Sequence, residues 1–114
     1  MGGAVTRLDG STRRRLEHKA KVFKALGHPT RLFIVEQLAK GEVCVCELKE
    51  LIDADLSTIS KHLSVLKNAG LVEAEKRRSN VFYRLRISPD GSLFACMDEA
   101  AEALSSAFGG RSAS

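Results

Sequence analysis

The sequence lacks the features of a membrane-spanning or exported protein. The longest uninterrupted aliphatic or aromatic run near its front is Leu32–Val35. A helix needs about 20 apolar residues to cross a bilayer, so this run is far too short. The N-terminus carries no apolar core of a secretion signal. We therefore expect a cytoplasmic protein without a membrane partner.

Cysteine is scarce, and the three thiols of the chain are Cys44, Cys46 and Cys96. Because the number is odd, a complete disulfide framework within one chain is impossible. Thiols kept free for metal or redox work in a reducing compartment fit this pattern better.

Signatures of catalysis are also missing. The sequence shows no nucleophile triad, phosphate-binding loop or paired-carboxylate site. A thiol oxidoreductase would need an activated cysteine, usually in a Cys-X-X-Cys motif on a βαβ scaffold, and the sequence contains neither. We therefore expect that the protein is not an enzyme, and a thiol oxidoreductase is the least favoured alternative.

Charge is segregated along the 114 residues. The net charge is +4, and residues 1–41 carry +6, 42–56 carry −4, 57–87 carry +5 and 88–114 carry −3. Such basic blocks favour a polyanionic partner such as nucleic acid.

A chain of this length favours one domain with a modest core, which dimerisation would enlarge.

Hydrophobic periodicity predicts five helices and two strands. The helices are expected over about residues 11–26, 29–40, 44–52, 57–69 and 92–108, and the strands over 71–76 and 81–87. Flexible tails are expected over residues 1–10 and 109–114, on either side of a single domain over 11–108.

Several single residues refine these elements. Ser11 or Thr12 is the expected cap of the first helix, and Pro29 suits the first turn of the second. Gly70 suits the left-handed position after the fourth helix. The third helix is expected to face inward through its apolar residues, which are Leu48, Leu51 and Ile52.

The third and fourth helices, joined by a tight turn and followed by a hairpin, predict a winged helix-turn-helix. The fold class is then mainly α with a small β-hairpin wing. The second helix of such a pair enters the major groove of double-stranded DNA and contacts base edges near its N-terminus. Those positions hold side chains that form hydrogen bonds: Ser57, Thr58, Ser60, Lys61 and His62. Lys61 and Lys67 are expected to bind phosphate.

The turn between the strands is basic. It holds Lys76, Arg77, Arg78 and Asn80, where a wing tip would meet the DNA backbone or the minor groove.

The last helix carries apolar residues at helical spacing, including Leu93, Met97, Ala100 and Leu104. This stripe is suited to packing against another helix.

The chain resembles the ArsR/SmtB family of metal-sensing repressors in three segments: GHPTRLFIVEQLAKGEVCVCELKE, LSTISKHLSVLKNAGLV and RRSNVFYRL. The resemblance covers roughly residues 12–105. It implies a homodimeric winged-helix repressor that binds a palindromic operator and leaves it when a metal or metalloid binds. It also implies that the first and last helices form the dimer interface, here through Leu16, Phe23, Leu93, Met97, Ala100 and Leu104.

The segment Cys44–Leu48 is similar to the Cys-Val-Cys-Asp-Leu-Cys motif of the arsenic-sensing branch of this family. Lys49 stands where that motif has its third cysteine. The resemblance implies that Cys44 and Cys46 bind trivalent arsenic or antimony as the inducer, since soft ions favour thiolates. Cys96 is the remaining thiol. It either completes the metal site, within a chain or across the dimer, or acts as a small apolar residue.

Residues two apart on a regular helix point away from each other. We therefore expect both sulfurs to reach one ion only if the start of the third helix is frayed, extended or distorted. Chelation is expected to distort this helix start and to displace the fourth helix, which follows it. A thiol-redox or persulfide sensor that links Cys96 to Cys44 or Cys46 is an alternative of the same fold.

A sensor of zinc, cadmium or lead is a further alternative. The last helix has no histidine for the zinc site that the family builds there, and residues 1–43 have no cysteine for a cadmium or lead site. A protein-interaction module that does not bind DNA also remains open.

Overall fold

The computed structural model describes residues 7–108. Its elements in chain order are α1 (Gly10–Leu26), α2 (Pro29–Ala39), β1 (Val43–Cys44), α3 (Val45–Leu51), α4 (Leu56–Asn68), β2 (Val72–Arg77), β3 (Asn80–Leu85) and α5 (Ser92–Ala107). The five predicted helices and the β-hairpin are confirmed. Residues 1–6 and the predicted tail over 109–114 lie outside the described residues. No helix in the described range is long and apolar enough to cross a membrane.

Helix α1 begins earlier than predicted because Asp9 caps it. The Asp9 carboxylate accepts a hydrogen bond from the backbone N–H of Thr12 at 2.9 Å. Ser11 donates its hydroxyl to the same carboxylate at 3.3 Å. The prediction that Ser11 or Thr12 is the cap is therefore wrong. Both residues lie inside the first turn, and the cap is the carboxylate that precedes them.

Helix α2 begins at Pro29, as predicted, and His28 caps it. The Nδ1 atom of His28 accepts a hydrogen bond from the backbone N–H of Thr30 at 3.0 Å. Proline suits this position because its missing N–H would have no partner within the helix. The cap fixes the His28 ring at the junction of α1 and α2.

Helices α3 and α4 form the helix-turn-helix pair. Asp55 ends the turn and caps α4 by accepting from the backbone N–H of Thr58 at 2.8 Å. Gly70 has a φ of +77°, the left-handed conformation predicted for it. The predicted inner face of α4 is confirmed by its buried residues, which are Ile59, Leu63 and Leu66.

The sheet has three antiparallel strands in the order β1-β3-β2, where the sequence predicts only two. Strand β1 pairs Val43 with Tyr83 and Cys44 with Phe82. A strand of two residues is too short to show alternation, which is why the sequence pattern does not reveal it. The pairing joins the segment that holds Cys44 directly to the wing.

The core lies where α2, α3 and α4 meet the base of the wing. Its buried residues are Ala25, Leu26, Ile34, Val35, Leu38, Leu48, Ile59, Leu63, Leu66, Leu71 and Val72. The expectation that Leu51 faces inward is wrong, because Leu51 is 55% exposed, and Ile52 is only half-buried. Leu48 is the buried residue of α3, and the half-buried Val45 packs against the same core.

Candidate nucleic-acid interface and thiol site

The outer face of α4 carries most of the predicted DNA-reading residues. Ser57, Thr58, Ser60, Lys61 and Lys67 are all exposed. The buried Ile59, Leu63 and Leu66 on the opposite face fix the orientation of the helix. Hydroxyl and ammonium groups on an exposed helix face can contact base edges and phosphates in a major groove.

His62 lies apart from these exposed residues. Its ring is half-buried and packs against the ring of His28 at an angle of 48°, with 4.5 Å between the centroids. Arg31 lies 3.3 Å from its Nδ1 atom. Because a guanidinium only donates, Nδ1 accepts and the His62 proton is on Nε2. The sequence predicts a DNA contact for His62, whereas the structure places its ring against α2.

Arg31 connects three elements at this point. It donates from Nε to the backbone carbonyl of Ala25 at 2.6 Å, as well as to His62 on α4. Burial lowers the pKa of His62, and the charges of His28 and Arg31 lower it further. Helix α4 is therefore joined to α2 through the neutral imidazole of His62, and Arg31 joins both helices to α1.

The wing tip exposes the predicted basic residues. Lys76, Arg78 and Asn80 are exposed, and Arg78 adopts a φ of +58° in the turn. Arg77 differs from these residues because its guanidinium is already paired. It donates to both carboxylate oxygens of Glu42, at 2.8 and 2.7 Å, and lies 4.7 Å above the Phe82 ring.

An ion-pair network extends from Glu42 across one face of the wing. Arg84 donates to Glu73 at 2.8 Å and to Glu75 at 3.0 Å, and it lies 3.4 Å from Glu42. The hydrogen bonds from Arg77 lower the pKa of Glu42, and those from Arg77 and Arg84 lower the pKa of Glu75. Sequence reasoning missed this network. The signal was there, in Glu73 and Glu75 at every second position of β2, which places both carboxylates on one face with Arg77 and Arg84.

Cys44 and Cys46 meet at the start of α3. Cys44 lies before the helix in an extended conformation, and its Sγ accepts from the backbone N–H of Cys46 at 3.3 Å. The Glu47 carboxylate accepts from the backbone N–H of Cys44 at 2.9 Å, which completes a capping box. The two sulfurs are in direct contact, placed as in a disulfide-bonded pair, and the two Cα atoms are 5.2 Å apart.

This geometry is the extended arrangement, one of the three conditions under which the sequence expects both sulfurs to reach one ion. Two residues within one helix point apart, but α3 begins at Val45 and Cys44 belongs to β1. Both sulfurs therefore reach the same point without any distortion of the helix. Cys44 is buried at 4% exposure, whereas Cys46 is exposed.

A cavity of about 430 Å³ opens beside the cysteine pair. The start of α3 forms one wall, the N-terminal half of α4 forms another, and the wing forms the third. Its lining residues are Cys44, Val45, Cys46, Lys49, Leu56, Ser60, Leu63, Ser79, Asn80, Val81 and Tyr83. The thiol pair therefore shares one cavity with both of the predicted DNA-reading elements.

Cys96 is exposed on α5 and does not line this cavity. Among residues 7–108, no group of three His, Cys, Asp or Glu side chains is placed to hold a metal ion. The structure thus brings Cys44 and Cys46 together but does not assemble the three-cysteine site within one chain. Lys49, which replaces the third cysteine of the motif, lines the cavity instead.

The predicted dimerisation residues lie on α1 and α5. Leu16, Phe23 and Leu104 are 42%, 58% and 60% exposed, and Ala100 is exposed as well. Leu93 and Met97 are half-buried against the core. Phe108 adds another apolar side chain at 80% exposure. Both helices therefore present apolar side chains that this single chain leaves uncovered.

Comparison with known proteins places residues 28–74 in a family described as bacterial regulatory protein, arsR family. An uncharacterized HTH-type transcriptional regulator of Methanocaldococcus jannaschii is 44% identical over 70 residues, which are 60% of this chain and 79% of the relative. A homolog of the cadmium resistance transcriptional regulatory protein CadC from Staphylococcus aureus is 43% identical over 67 residues. The match covers 58% of this chain and 55% of that relative.

The solved structures include a similar chain from Mycobacterium bovis. It is described as a homodimeric winged helix-turn-helix DNA-binding domain of a possible ArsR-family transcriptional regulator. The TM-score is 0.74 at 32% identity, and the match covers 89% of this chain and 94% of the other.

Proposed function

Because this chain belongs to the ArsR family and is a DNA-binding transcriptional regulator rather than an enzyme, we propose that it is a thiol-responsive repressor. It binds operator DNA as a homodimer and leaves the operator when Cys44 and Cys46 take up a signal. The observation that carries this proposal is the direct contact of the two sulfurs in a cavity walled by α4 and the wing.

The homodimer is supported by the uncovered apolar side chains of α1 and α5. The relative from Mycobacterium bovis is homodimeric, and its fold matches nearly the whole of this chain. A two-fold dimer presents two copies of α4, so its operator is palindromic, with half-sites about one helical turn apart. Lys61 and Lys67 on α4, with Lys76 and Arg78 on the wing, supply exposed charge for phosphate contacts.

The proposed signal is trivalent arsenic or antimony. Such soft ions favour thiolate ligands, and Cys44 and Cys46 already converge without rearrangement of α3. Two thiolates from this pair would hold the ion, and Cys96 of the partner subunit is the remaining candidate for a third. The ion releases DNA only by as much as it binds the free dimer more tightly than the DNA-bound dimer.

A titration of the protein bound to fluorescent DNA from its own upstream region tests this function. Arsenite is expected to release the DNA from the parent protein but not from Cys44→Ser or Cys46→Ser. Cadmium, zinc and a peroxide are run in parallel. Arsenite release that persists in Cys96→Ser would remove Cys96 as the third ligand. Arsenite that leaves DNA binding of the parent unchanged would contradict the metalloid signal.

A second candidate signal is an oxidant, and the same contact between the sulfurs favours it. Two thiols whose sulfurs touch can form a disulfide while losing two electrons and two protons to the oxidant. The peroxide arm of the titration separates the two signals. Release by peroxide that is reversed by a dithiol reductant, together with no effect of arsenite, would assign the sensor to redox chemistry.

A further inference from the structure

The two cysteines of the pair differ in their access to solvent. Cys44 is 4% exposed and lies in the ladder between β1 and β3, whereas Cys46 is exposed in the first turn of α3. A reagent from solution therefore meets the Cys46 sulfur first. Cys44 is reached only through the cavity that it lines, and there its sulfur contacts the Cys46 sulfur, so it is placed to react with what is attached to Cys46.

The cavity beside Cys46 is large enough for a small organic molecule. Its volume of about 430 Å³ lies in the range typical of ligand sites, roughly 300 to 1,000 Å³. Of the described residues that line it, Lys49 is the one that carries a charge, and Ser60, Ser79 and Asn80 supply neutral polar groups. A cavity with one ammonium group and no carboxylate in its lining favours an anionic occupant.

From this geometry we infer that Cys46 forms a mixed disulfide with an anionic low-molecular-weight thiol, and that Cys44 then resolves it. The inference rests on the proposed thiol-responsive function. It names a small disulfide as the oxidant, which is the second of the two candidate signals. The co-reactant is the symmetric disulfide of the small thiol. Its carboxylate binds Lys49 while its sulfur reacts with Cys46.

The chemistry balances in two exchanges. The Cys46 thiolate attacks one sulfur of the small disulfide, whose S–S bond breaks, and one small thiolate leaves and takes up a proton. The Cys44 thiolate then attacks the Cys46 sulfur, which releases the second small thiol and closes the Cys44–Cys46 disulfide. In total two protein thiols are oxidised and one small disulfide is reduced to two thiols. The backbone N–H of Cys46, 3.3 Å from the Cys44 sulfur, stabilises the Cys44 thiolate.

The position of the mixed disulfide gives it an effect on DNA binding. The cavity is bounded by Leu56 and Ser60 near the start of α4, and by Ser79 and Asn80 at the wing tip. A bulky anion in this position lies between the two elements that are to contact the DNA backbone. It adds negative charge there, so the modified dimer binds DNA more weakly than the reduced dimer.

Intact mass spectrometry of the reduced full chain, treated with oxidised glutathione, tests the assignment. All variants carry Cys96→Ser, because the exposed Cys96 would otherwise react as well. The variant with Cys44→Ser is expected to keep one glutathionyl group per chain, since nothing resolves it. The variant with Cys46→Ser is expected to gain none over the same time. An adduct of equal yield on Cys44, or no adduct on Cys46, would overturn the inference.

The Cys96→Ser parent gives a second measurement that keeps the native pair. Acid quenching at short times followed by peptide mapping is expected to show the glutathionyl group on Cys46 first and the Cys44–Cys46 disulfide later. A disulfide that forms without a preceding adduct would overturn the inference. Loss of DNA binding on peroxide treatment in that case would leave the proposed function intact.

Lys49→Gln tests the recognition of the anion. We expect it to slow adduct formation by oxidised glutathione about threefold or more, as for loss of one steering charge. The rate with cystamine, a cationic disulfide, is expected to stay equal or to rise. Lys40→Gln is the matched control, since Lys40 is exposed at the end of α2 and lies outside this cavity. Equal slowing of both disulfides by Lys49→Gln would overturn the role of Lys49.

Discussion

Arg77 on the wing and Glu42 before β1 form a bidentate ion pair across 35 positions of sequence, with N–O distances of 2.8 and 2.7 Å. The Glu42 carboxylate thereby pairs with the Arg77 guanidinium, which the sequence predicts to contact DNA phosphate. Glu42 precedes Cys44 by two residues, so the pair also links the wing to the thiol site. None of the ion pairs of the described residues involves Arg78, which lies at the tip of the wing.

Glu42→Gln is expected to strengthen DNA binding at low salt. Loss of the carboxylate leaves Arg77 with a single partner, Glu75 at 3.0 Å, and so makes its guanidinium more available to phosphate. Each added phosphate contact steepens the plot of log K against log salt by about 0.9. Fluorescence anisotropy with operator DNA between about 50 and 200 mM salt measures that slope. Glu36→Gln, on the exposed face of α2, removes the same charge away from the wing and serves as the control. Equal slopes for both variants would show that Glu42 does not withhold Arg77 from DNA.

His62 is expected to make the stability of the protein sensitive to pH. Burial, His28 and Arg31 lower its pKa below 6.5, so the folded protein favours the neutral ring. The contribution of the neutral His62 ring to stability is then present above pH 6.5. It is lost as the pH falls towards the pKa of His62 in the folded protein, which is the lower of the two values. Thermal unfolding followed by circular dichroism is expected to show a falling Tm between about pH 7 and 5.

His62→Gln is expected to flatten this pH dependence, while His18→Gln leaves it unchanged because His18 is exposed on α1. The carboxylates with lowered pKa values include Glu42 and Asp55, whose ordinary values are 4.5 and 3.8. Their contribution is lost only at still lower pH. A fall in Tm that is equally steep in His62→Gln would therefore assign the effect to a group other than His62.

Local patterns predicted the helices and the inner face of α4. Ile59, Leu63 and Leu66 follow the helical period, and all three are buried. Gly70 was predictable because few residues other than glycine adopt a φ of +77°. These features depend on neighbours within about one turn of the chain, so the sequence pattern carries them directly.

The features that escaped prediction depend on contacts between distant segments. Strand β1 exists only through its pairing with β3, and that pairing places Cys44 outside α3. The motif therefore predicted a pair of thiols at this place in the chain, but not how the sulfurs meet. Likewise, the residue types of Arg77 and His62 fit DNA binding, whereas their partners Glu42 and His28 lie 35 and 34 positions away.

Leu48→Ala and Leu51→Ala test the observed orientation of α3. Leu48 is fully buried, so its truncation is expected to cost about 2–5 kcal/mol of the free energy of unfolding. Leu51 is 55% exposed, and its truncation is expected to cost less than about 0.5 kcal/mol. Urea unfolding followed by far-UV circular dichroism, at one protein concentration, compares the two. Similar costs for both variants would instead support the predicted orientation of α3, in which Leu51 faces inward.

Leu104→Lys is expected to break the homodimer. Leu104 is 60% exposed on α5, and a lysine at this position would place an unpaired ammonium group in an apolar interface. Sedimentation velocity is expected to show a shift to monomer, with operator affinity lost in parallel because one α4 reads only half of a palindrome.

Ser106→Lys is the matched control, since residue 106 lies about 200° around the helix from Leu104 and is also exposed. It adds the same charge to the opposite side of α5. If both variants stay dimeric, α5 lies outside the interface. If both become monomers, the added charge rather than the apolar stripe is responsible. Only a monomer from Leu104→Lys alone places that stripe at the dimer contact.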